Sequence, residues 1–325
     1  MTAVGAALTV TASLPARHQL AAALPSLPQQ ELPLFGRDSG ASLRALTPPQ
    51  GQLLKWVGSK QRFAAQICAT FPKAMGGYYE PFIGSAAVLA TLAPAHAVAA
   101  DALQPLIQIW QTLQSDLPLL LQWYTERWQR LMAGDKVPTY LAMRRSYNET
   151  RDPADLLFLV RACYGGVVRF AKDGSMNTPC GIHRPIAPEE FERRAQRWQQ
   201  RVVGVRFVHS DFEAIIDQAQ AQDVVYCDPP YSDSQNALYG AQLFSLTRLF
   251  EALQRAKDRG AYVALSIDGT KRSGTKNCDV QTPDGLFATD LPITVGRSML
   301  RRFQMGGQTL EDEVVKDRLL LSWTV

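Results

Sequence analysis

Apolar positions follow two periods along this chain, and the switches between them mark out its elements. Tyr78–Phe82, Ala97–Ala100, Arg206–His209, Val224–Cys227 and Ala261–Ile267 are compact runs bounded by turn residues, which is how buried strands read. Between them the spacing turns helical: after Gly58-Ser59-Lys60 to about Phe71, over 85–93, over Leu103–Leu113 and over 245–259. Ile293–Leu300 and Arg318–Trp323 supply two more strands, with Gly306-Gly307 in the loop between them. Strands alternating with helices predict an α/β fold: a doubly wound, mixed, mostly parallel seven-stranded sheet with an antiparallel edge.

Residues 113–201 break that alternation. They are mostly amphipathic helix, too long for a simple crossover, with Trp123, Trp128 and Trp198 following Trp110 at intervals. The prediction is an inserted subdomain over 113–201, within a sheet domain made of 51–112 and 202–325. The tryptophans are expected to be helical core rather than base-stacking platforms. Residues 1–50 differ again, being rich in Ala, Leu, Pro, Ser and Thr without strand alternation. Pro25, Pro28, Pro33, Pro48 and Pro49 interrupt them, so they read as a poorly structured extension with a helix near 16–24. The apolar stretch 3–14 has no positive charge before it and Arg17 after it, which does not fit a secretory signal.

Composition narrows the class. A 325-residue chain that is 46% hydrophobic can bury a full core, and no apolar run reaches the ~18 residues of a membrane span. A net charge of +4 suits nucleic acid without requiring it. Five cysteines without CxxC spacing, and four histidines that do not cluster with them, argue against a disulfide framework or a zinc site. A reducing cytoplasm is expected, and no metal.

The candidate chemistry sits where strands stop. Val224-Val225-Tyr226-Cys227-Asp228-Pro229-Pro230-Tyr231 is an apolar strand halted by an acid, two prolines and an aromatic. Successive prolines remove two backbone donors and fix φ. An Asp is thereby held at the carboxyl end of a strand, where open α/β sheets place their ligands. The Asp228 carboxylate and the carbonyl beside it offer two fixed acceptors, and Tyr231 a flat face, a set that suits the exocyclic amine of a nucleobase. Taken alone, this is equally a strand end with a rigid turn. Glu80, Asp101 and Asp211 also lie at expected strand ends. Glu80-Pro81-Phe82-Ile83-Gly84-Ser85 reads as strand, glycine loop and helix start, and Asp101 follows Glu80 by 21 residues. An acid about 20 residues on can bind ribose hydroxyls, but without a full GxGxxG a nucleoside-type ligand fits better than a dinucleotide.

The order LKWVGSK, YEPFIGSAAV, AADAL, SDF and VVYCDPPYS resembles the Dam-type, D12 class, DNA adenine N6-methyltransferases over roughly residues 53–325. That resemblance implies the Rossmann-like methyltransferase fold, S-adenosylmethionine as cofactor and an adenine flipped out of double-stranded DNA. It implies that Trp56 and Lys60 line the methionine end of the cofactor, and that Glu80, Phe82 and Gly84 form its floor. Asp101 would take the ribose hydroxyls, and Asp211 and Phe212 would border the cofactor adenine. Asp228, Pro229, Pro230 and Tyr231 would hold the target base for direct attack on the methyl group. The family's DNA-recognition hairpin maps onto residues 164–181, where Tyr164, Arg169, Asn177 and Pro179 are the expected DNA contacts. Gly165 and Ala171 replace the usual Asn residues, Met176 and Cys180 replace aromatics, and Ala86 stands where a further Gly is usual, so the resemblance does not extend to a target sequence.

Several residues keep two readings. Arg144-Arg145 and Arg193-Arg194, with Arg197 and Arg201, fit phosphate contacts and solvated helix faces equally. Tyr164 fits core or an intercalating wedge. His183 and His209 read as structural, and the basic loop 271–276 as either DNA-reaching or solvated. Related Pro-Pro-aromatic loops also hold amides, which leaves an RNA or protein N-methyltransferase as a rival. A DNA-binding regulator with weakened activity is a second. A monomer in a bacterial or phage setting, with a cognate restriction endonuclease as candidate partner, completes the expectation.

Overall fold

The computed structural model describes residues 46–230, 244–268, 280–296 and 315–325. Residues 1–45, Tyr231, the basic loop 271–276, Gly306-Gly307 and residues 297–300 of the expected sixth strand lie outside the described residues.

The strands are β1 Tyr78–Glu80, β2 Ala97–Asp101, β3 Val205–His209, β4 Val224–Cys227, β5 Tyr262–Asp268, β6 Thr289–Gly296 and β7 Val315–Leu321. They form one sheet in the order β3-β2-β1-β4-β5-β7-β6. The first five in that order run parallel, and β7 runs antiparallel to both β5 and β6. Every residue of β1 and β4 is buried, because helices cover both faces of a parallel sheet. The two-residue period divides the strands between the covers. Tyr78, Ala97, Ala99, Val224, Tyr226 and Ala264 belong to one core, and Tyr79, Val98, Ala100, Val225, Cys227 and Val263 to the other.

The helices are α1 Ala64–Ala69, α2 Ala87–Leu92, α3 Gln104–Ser115, α4 Leu117–Ala133, α5 Lys136–Thr150, α6 Pro153–Ala162, α7 Pro188–Gln199, α8 Phe212–Ile216 and α9 Leu246–Asp258. Buried residues of α1–α7 join the first core, and those of α8 and α9 the second. Local signals set several starts. Asp116 accepts from Leu119 N at 3.0 Å to cap α4, and Asp152 accepts from Ala154 N at 2.9 Å to cap α6, each with a proline in the first turn. α6 is apolar nearly all round and buried throughout, as a central helix must be. Arg127 on α4 reaches Asp155 at 2.6 Å and Asp152 at 2.7 Å. Trp110 and Trp198 are buried with ring centroids 5.6 Å apart, while Trp123 and Trp128 pack partly buried against the same core.

Boundaries depart from the sequence reading at several places, among them α1, which begins at Ala64 and not beside Lys60, and β7, which begins at Val315 and not at Arg318. β3 ends at His209, and Asp211 is the N-cap of α8, accepting from Glu213 N at 3.0 Å. That five-residue helix is too short to show a period. α2 begins at Ala87 instead of 85, because Ala86 takes a left-handed conformation with φ 54°. β6 begins at Thr289 instead of Ile293. Its first residues are polar because they lie on an edge strand, where Arg318 of β7 holds Asp290 at 2.6 Å.

Gly204, just before β3, is fixed by close approach. A Cβ there would lie 2.0 Å from the Ala95 carbonyl oxygen, on backbone that cannot rotate away. Replacement Gly204→Ala must push β3 away from β2 and is expected to cost about 1–3 kcal/mol. The check is the urea midpoint of unfolding, which should fall clearly below that of the parent.

Candidate active site

The chain fills the sheet outward from β1, first to β2 and β3 on one side and then to β4 and β5 on the other. Such a reversal opens a crevice at the carboxyl ends of the two central strands. Here those ends carry Glu80 on β1 and Asp228 directly after β4, with Asp101 at the end of the neighbouring β2.

Asp228 is held by a buried cation. Lys60 Nζ donates to its Oδ1 at 2.8 Å and lies 3.6 Å from Asp317 Oδ2 on β7. Lys60 is 4% exposed, so its charge needs these carboxylates. Lys60 also donates to the Gly58 carbonyl at 3.2 Å. The segment that delivers it is anchored upstream through main-chain carbonyls. Gln52 and Leu53 accept from the buried Arg161 at 2.9 and 2.6 Å, Gly51 from Trp198 at 2.9 Å, and Gln52 also from Arg194 at 3.3 Å. Arg197 approaches the Gln50 carbonyl at 3.4 Å. Arg194 therefore holds this segment and Glu190, at 2.7 Å, and the exposed Arg193 also pairs with Glu190.

The loop after β1 is fixed from both sides at Gly84. Its N–H donates to Asp101 Oδ2 at 3.2 Å, and its carbonyl accepts from Trp110 Nε1 at 3.2 Å. Gly84 has φ 42°, and a Cβ there would sit 3.0 Å from the Trp56 ring, so only glycine lets the indole lie on this loop. Ser85 donates to Ser59 at 3.0 Å, tying the loop to the Lys60 segment. Asp101 also accepts from Leu103 N at 3.0 Å. Burial pushes its carboxyl up to about 6, against the pull of these two N–H donors. Glu80 is 3% exposed and accepts from the Tyr78 hydroxyl at 2.7 Å. Burial, added to by the charge of Asp228, raises it to about 8, so at neutral pH it is mostly protonated and adds little charge beside Asp228.

Phe82 and Phe212 stack at 5.3 Å, and Phe244 meets them edge-on at 5.8 Å from each. Arg248 lies 5.0 Å above the Phe212 ring and pairs with Asp211 at 3.0 Å and Glu213 at 2.7 Å. Phe82 and Phe212, expected in separate parts of the cofactor site, thus share one aromatic cluster with Phe244, covered by Arg248. The sequence reading missed both, since a lone Phe and a helix arginine carry no pattern. Asp317 was missed too, since it stands between Lys316 and Arg318, before the apolar run of β7 begins.

Residues 163–181 form a hairpin. Bridges join Cys163 to Cys180 and Phe170 to Met176, and Tyr164 N donates to the Pro179 carbonyl at 2.8 Å. Arg169, Asn177 and Pro179 are exposed along it, whereas Val168, Phe170, Met176 and Thr178 are buried. Tyr164 is half-buried at its base. Arg144 donates to the Asn177 and Thr178 carbonyls at 3.2 and 3.0 Å, so it seats the hairpin, while Arg145 is exposed. His209 is exposed at the end of β3, 3.1 Å from the Ala102 carbonyl, and His183 is exposed after the hairpin. Among the described residues, no group of three or more His, Cys, Asp or Glu side chains is arranged to hold a metal ion.

Residues 56–278 match the family model of the D12 class N6 adenine-specific DNA methyltransferases. A DNA adenine methylase of Haemophilus influenzae is 28% identical over 222 residues, covering 63% of this chain and 75% of its own. One from Vibrio cholerae is 27% identical over 238 residues, covering 68% and 82%. The type II methyltransferase M.MjaIII of Methanocaldococcus jannaschii is 26% identical over 240 residues, covering 66% and 82%. With a switch-point acid held by a buried lysine, and a family model matched across most of the sheet and the helices between its strands, this chain belongs to the D12 class of N6 adenine-specific DNA methyltransferases.

Proposed function

We propose that the chain methylates adenine N6 in double-stranded DNA with S-adenosylmethionine as donor, and that Asp228 and the Pro229 carbonyl hold the reacting amine. The observation that carries this reading is the Lys60–Asp228 pair at 2.8 Å at the sheet's switch point. Adenine N6 is a poor nucleophile because its lone pair is delocalised into the ring. Two acceptors on its two N–H groups favour a tetrahedral nitrogen with that lone pair released. Lys60 fixes the rotation of the carboxylate by holding Oδ1 at 2.8 Å, which presents the group in one orientation to the amine. Positioning and electrostatics of this kind carry most of the rate. The nitrogen gains a methyl group and gives up a proton, for which Asp228 is the nearest base. Pro230 and Tyr231 complete the target-base loop in this reading.

The residues present suit the cofactor. S-adenosylmethionine brings a methyl group already activated on a positively charged sulfur. Asp101 has acceptor capacity left for ribose hydroxyls, and the Gly84 loop offers close backbone approach. Phe82, Phe212 and Asp211 would border the purine, with Trp56 and the protonated Glu80 at the methionine end. Lys60 is assigned to orienting Asp228 in place of the cofactor contact expected from the sequence. The inserted region 113–201 serves as the target-recognition subdomain, with Tyr164, Arg169, Asn177 and Pro179 toward DNA. The enzyme is taken to act as a cytoplasmic monomer. Among the described residues no helix is long and apolar enough to cross a membrane. Since some relatives are named type II methyltransferases, a cognate endonuclease is kept as candidate partner.

Methylation-sensitive long-read sequencing of DNA from cells expressing the chain tests the activity directly. N6-methyladenine at a defined sequence is the expected result, and its absence would remove the reading.

Replacement Asp228→Asn keeps the shape but loses the charge and one acceptor. Turnover is expected to fall by ~10²–10³, with cofactor affinity within a few-fold of the parent by calorimetry. Turnover close to the parent would detach Asp228 from the target amine.

Asp101 supplies a pH test. Its carboxyl is raised to about 6, so it is ionised above that value and protonated below it. Ribose binding needs the acceptor form, so cofactor affinity should weaken as pH falls through 6, below the range in which Glu80 titrates. The variant Asp101→Asn should bind weakly at every pH and lose that dependence. A parent affinity flat between pH 7.5 and 5 would take the ribose away from Asp101.

A further inference from the structure

One face of α5 grips the hairpin through its main chain. Tyr140, Arg144 and Asn148 recur at helical spacing, which brings them onto one side of the helix, and Arg151 follows as its left-handed C-cap. The Tyr140 hydroxyl donates to the Thr178 carbonyl at 3.0 Å. Arg144 donates to the Asn177 and Thr178 carbonyls, and Arg151 to the Gly174 carbonyl at 2.7 Å. Asn148 does something the others do not. Its Nδ2 donates to the Met176 carbonyl at 3.0 Å while its Oδ1 accepts from Met176 N at 2.7 Å. A side-chain amide paired with both groups of one residue behaves like a neighbouring strand. The donor-only contacts tolerate sliding from one carbonyl to the next, but the paired contact does not.

Register matters here because side chains alternate. A one-residue slip would turn every side chain of the strand to the opposite face. In the observed register Met176 is 1% exposed and bridges to Phe170, while its neighbour Asn177 faces out. Asn177 N donates to the Arg169 carbonyl at 3.0 Å. Thr178 Oγ1 accepts from Arg169 N at 2.8 Å and donates to the Val167 carbonyl at 3.1 Å. The backbone of Arg169 is therefore set by the strand that Asn148 pins, while the residue itself is exposed.

We propose that Asn148 is a positioning residue for target discrimination: by locking Met176 it fixes the register in which Arg169 and Asn177 are presented to DNA. This rests on the reading of the hairpin as DNA-facing.

The test uses the full chain and the sequence that long-read mapping identifies. kcat/KM is measured on that duplex and on single-mismatch duplexes for the parent, Asn148→Ala, Asn148→Asp and Arg169→Ala, beside cofactor affinity and the thermal midpoint. Asn148→Ala loses both bonds, and its cognate-to-mismatch ratio should fall about ten-fold, the scale of one to two hydrogen bonds, with cofactor affinity unchanged. Asn148→Asp keeps the acceptor for Met176 N, loses the donor and should fall between. A purely structural role would lower the midpoint and cognate activity yet leave the ratio at the parent's value, and that result overturns the proposal. If Asn148→Ala does not fold, the ratio for Asn148→Asp decides by the same criterion. A ratio lowered by Arg169→Ala but not by the Asn148 variants sinks this inference alone. A ratio unmoved by Arg169→Ala as well sinks the DNA-facing reading with it.

Discussion

An ammonium group buried to 4% exposure cannot stand without opposite charge, and Lys60 meets that demand with carboxylates from two strands. Asp228 comes from the end of β4 and Asp317 from β7, so the loop, the centre of the sheet and its antiparallel side are joined at one point. Removing both acids would leave the ammonium uncompensated in a site with little water to screen it. The carbonyl anchors at Gln52 and Leu53 serve the same end, since they hold the loop that places Lys60. Glu80 shows the complementary solution. With Asp228 ionised nearby, the second carboxyl stays mostly protonated and bonded to Tyr78.

The sheet was largely legible because its strands are short apolar runs ended by acids, prolines or glycines. The position of Asp228 followed from Pro229 and Pro230 alone, and the structure adds the partner that orients it. Long-range partners were not legible. Lys60 and Asp228 are 168 positions apart, and neither periodicity nor turn chemistry pairs residues across such a distance. Phe244 and Arg248 join Phe82 and Phe212 only once α9 lies beside α8, so their role depends on packing between helices.

Local conformation explains the other departures. Ala86 takes a left-handed conformation, φ 54°, in spite of its side chain. Such a conformation costs an L-residue roughly 1–2 kcal/mol. The methyl group is fully buried and joins the first core, which returns about 0.8 kcal/mol and offsets part of that cost. The arginines on α5 and α7 that read as a solvated or phosphate-binding face turned out to be divided. Arg144 and Arg194 spend their donors on main-chain carbonyls, an outcome that residue type alone does not reveal.

The grip of α5 on the hairpin has a consequence for how such a scaffold can change over generations. Tyr140, Arg144, Asn148 and Arg151 bind peptide groups, which every residue of the hairpin possesses whatever its side chain. The outward positions 169, 177 and 179 can therefore be exchanged without disturbing the contacts that hold the strand, while the inward Met176 and Thr178 remain tied to the core. Backbone support and outward chemistry are thus carried by different residues of this hairpin.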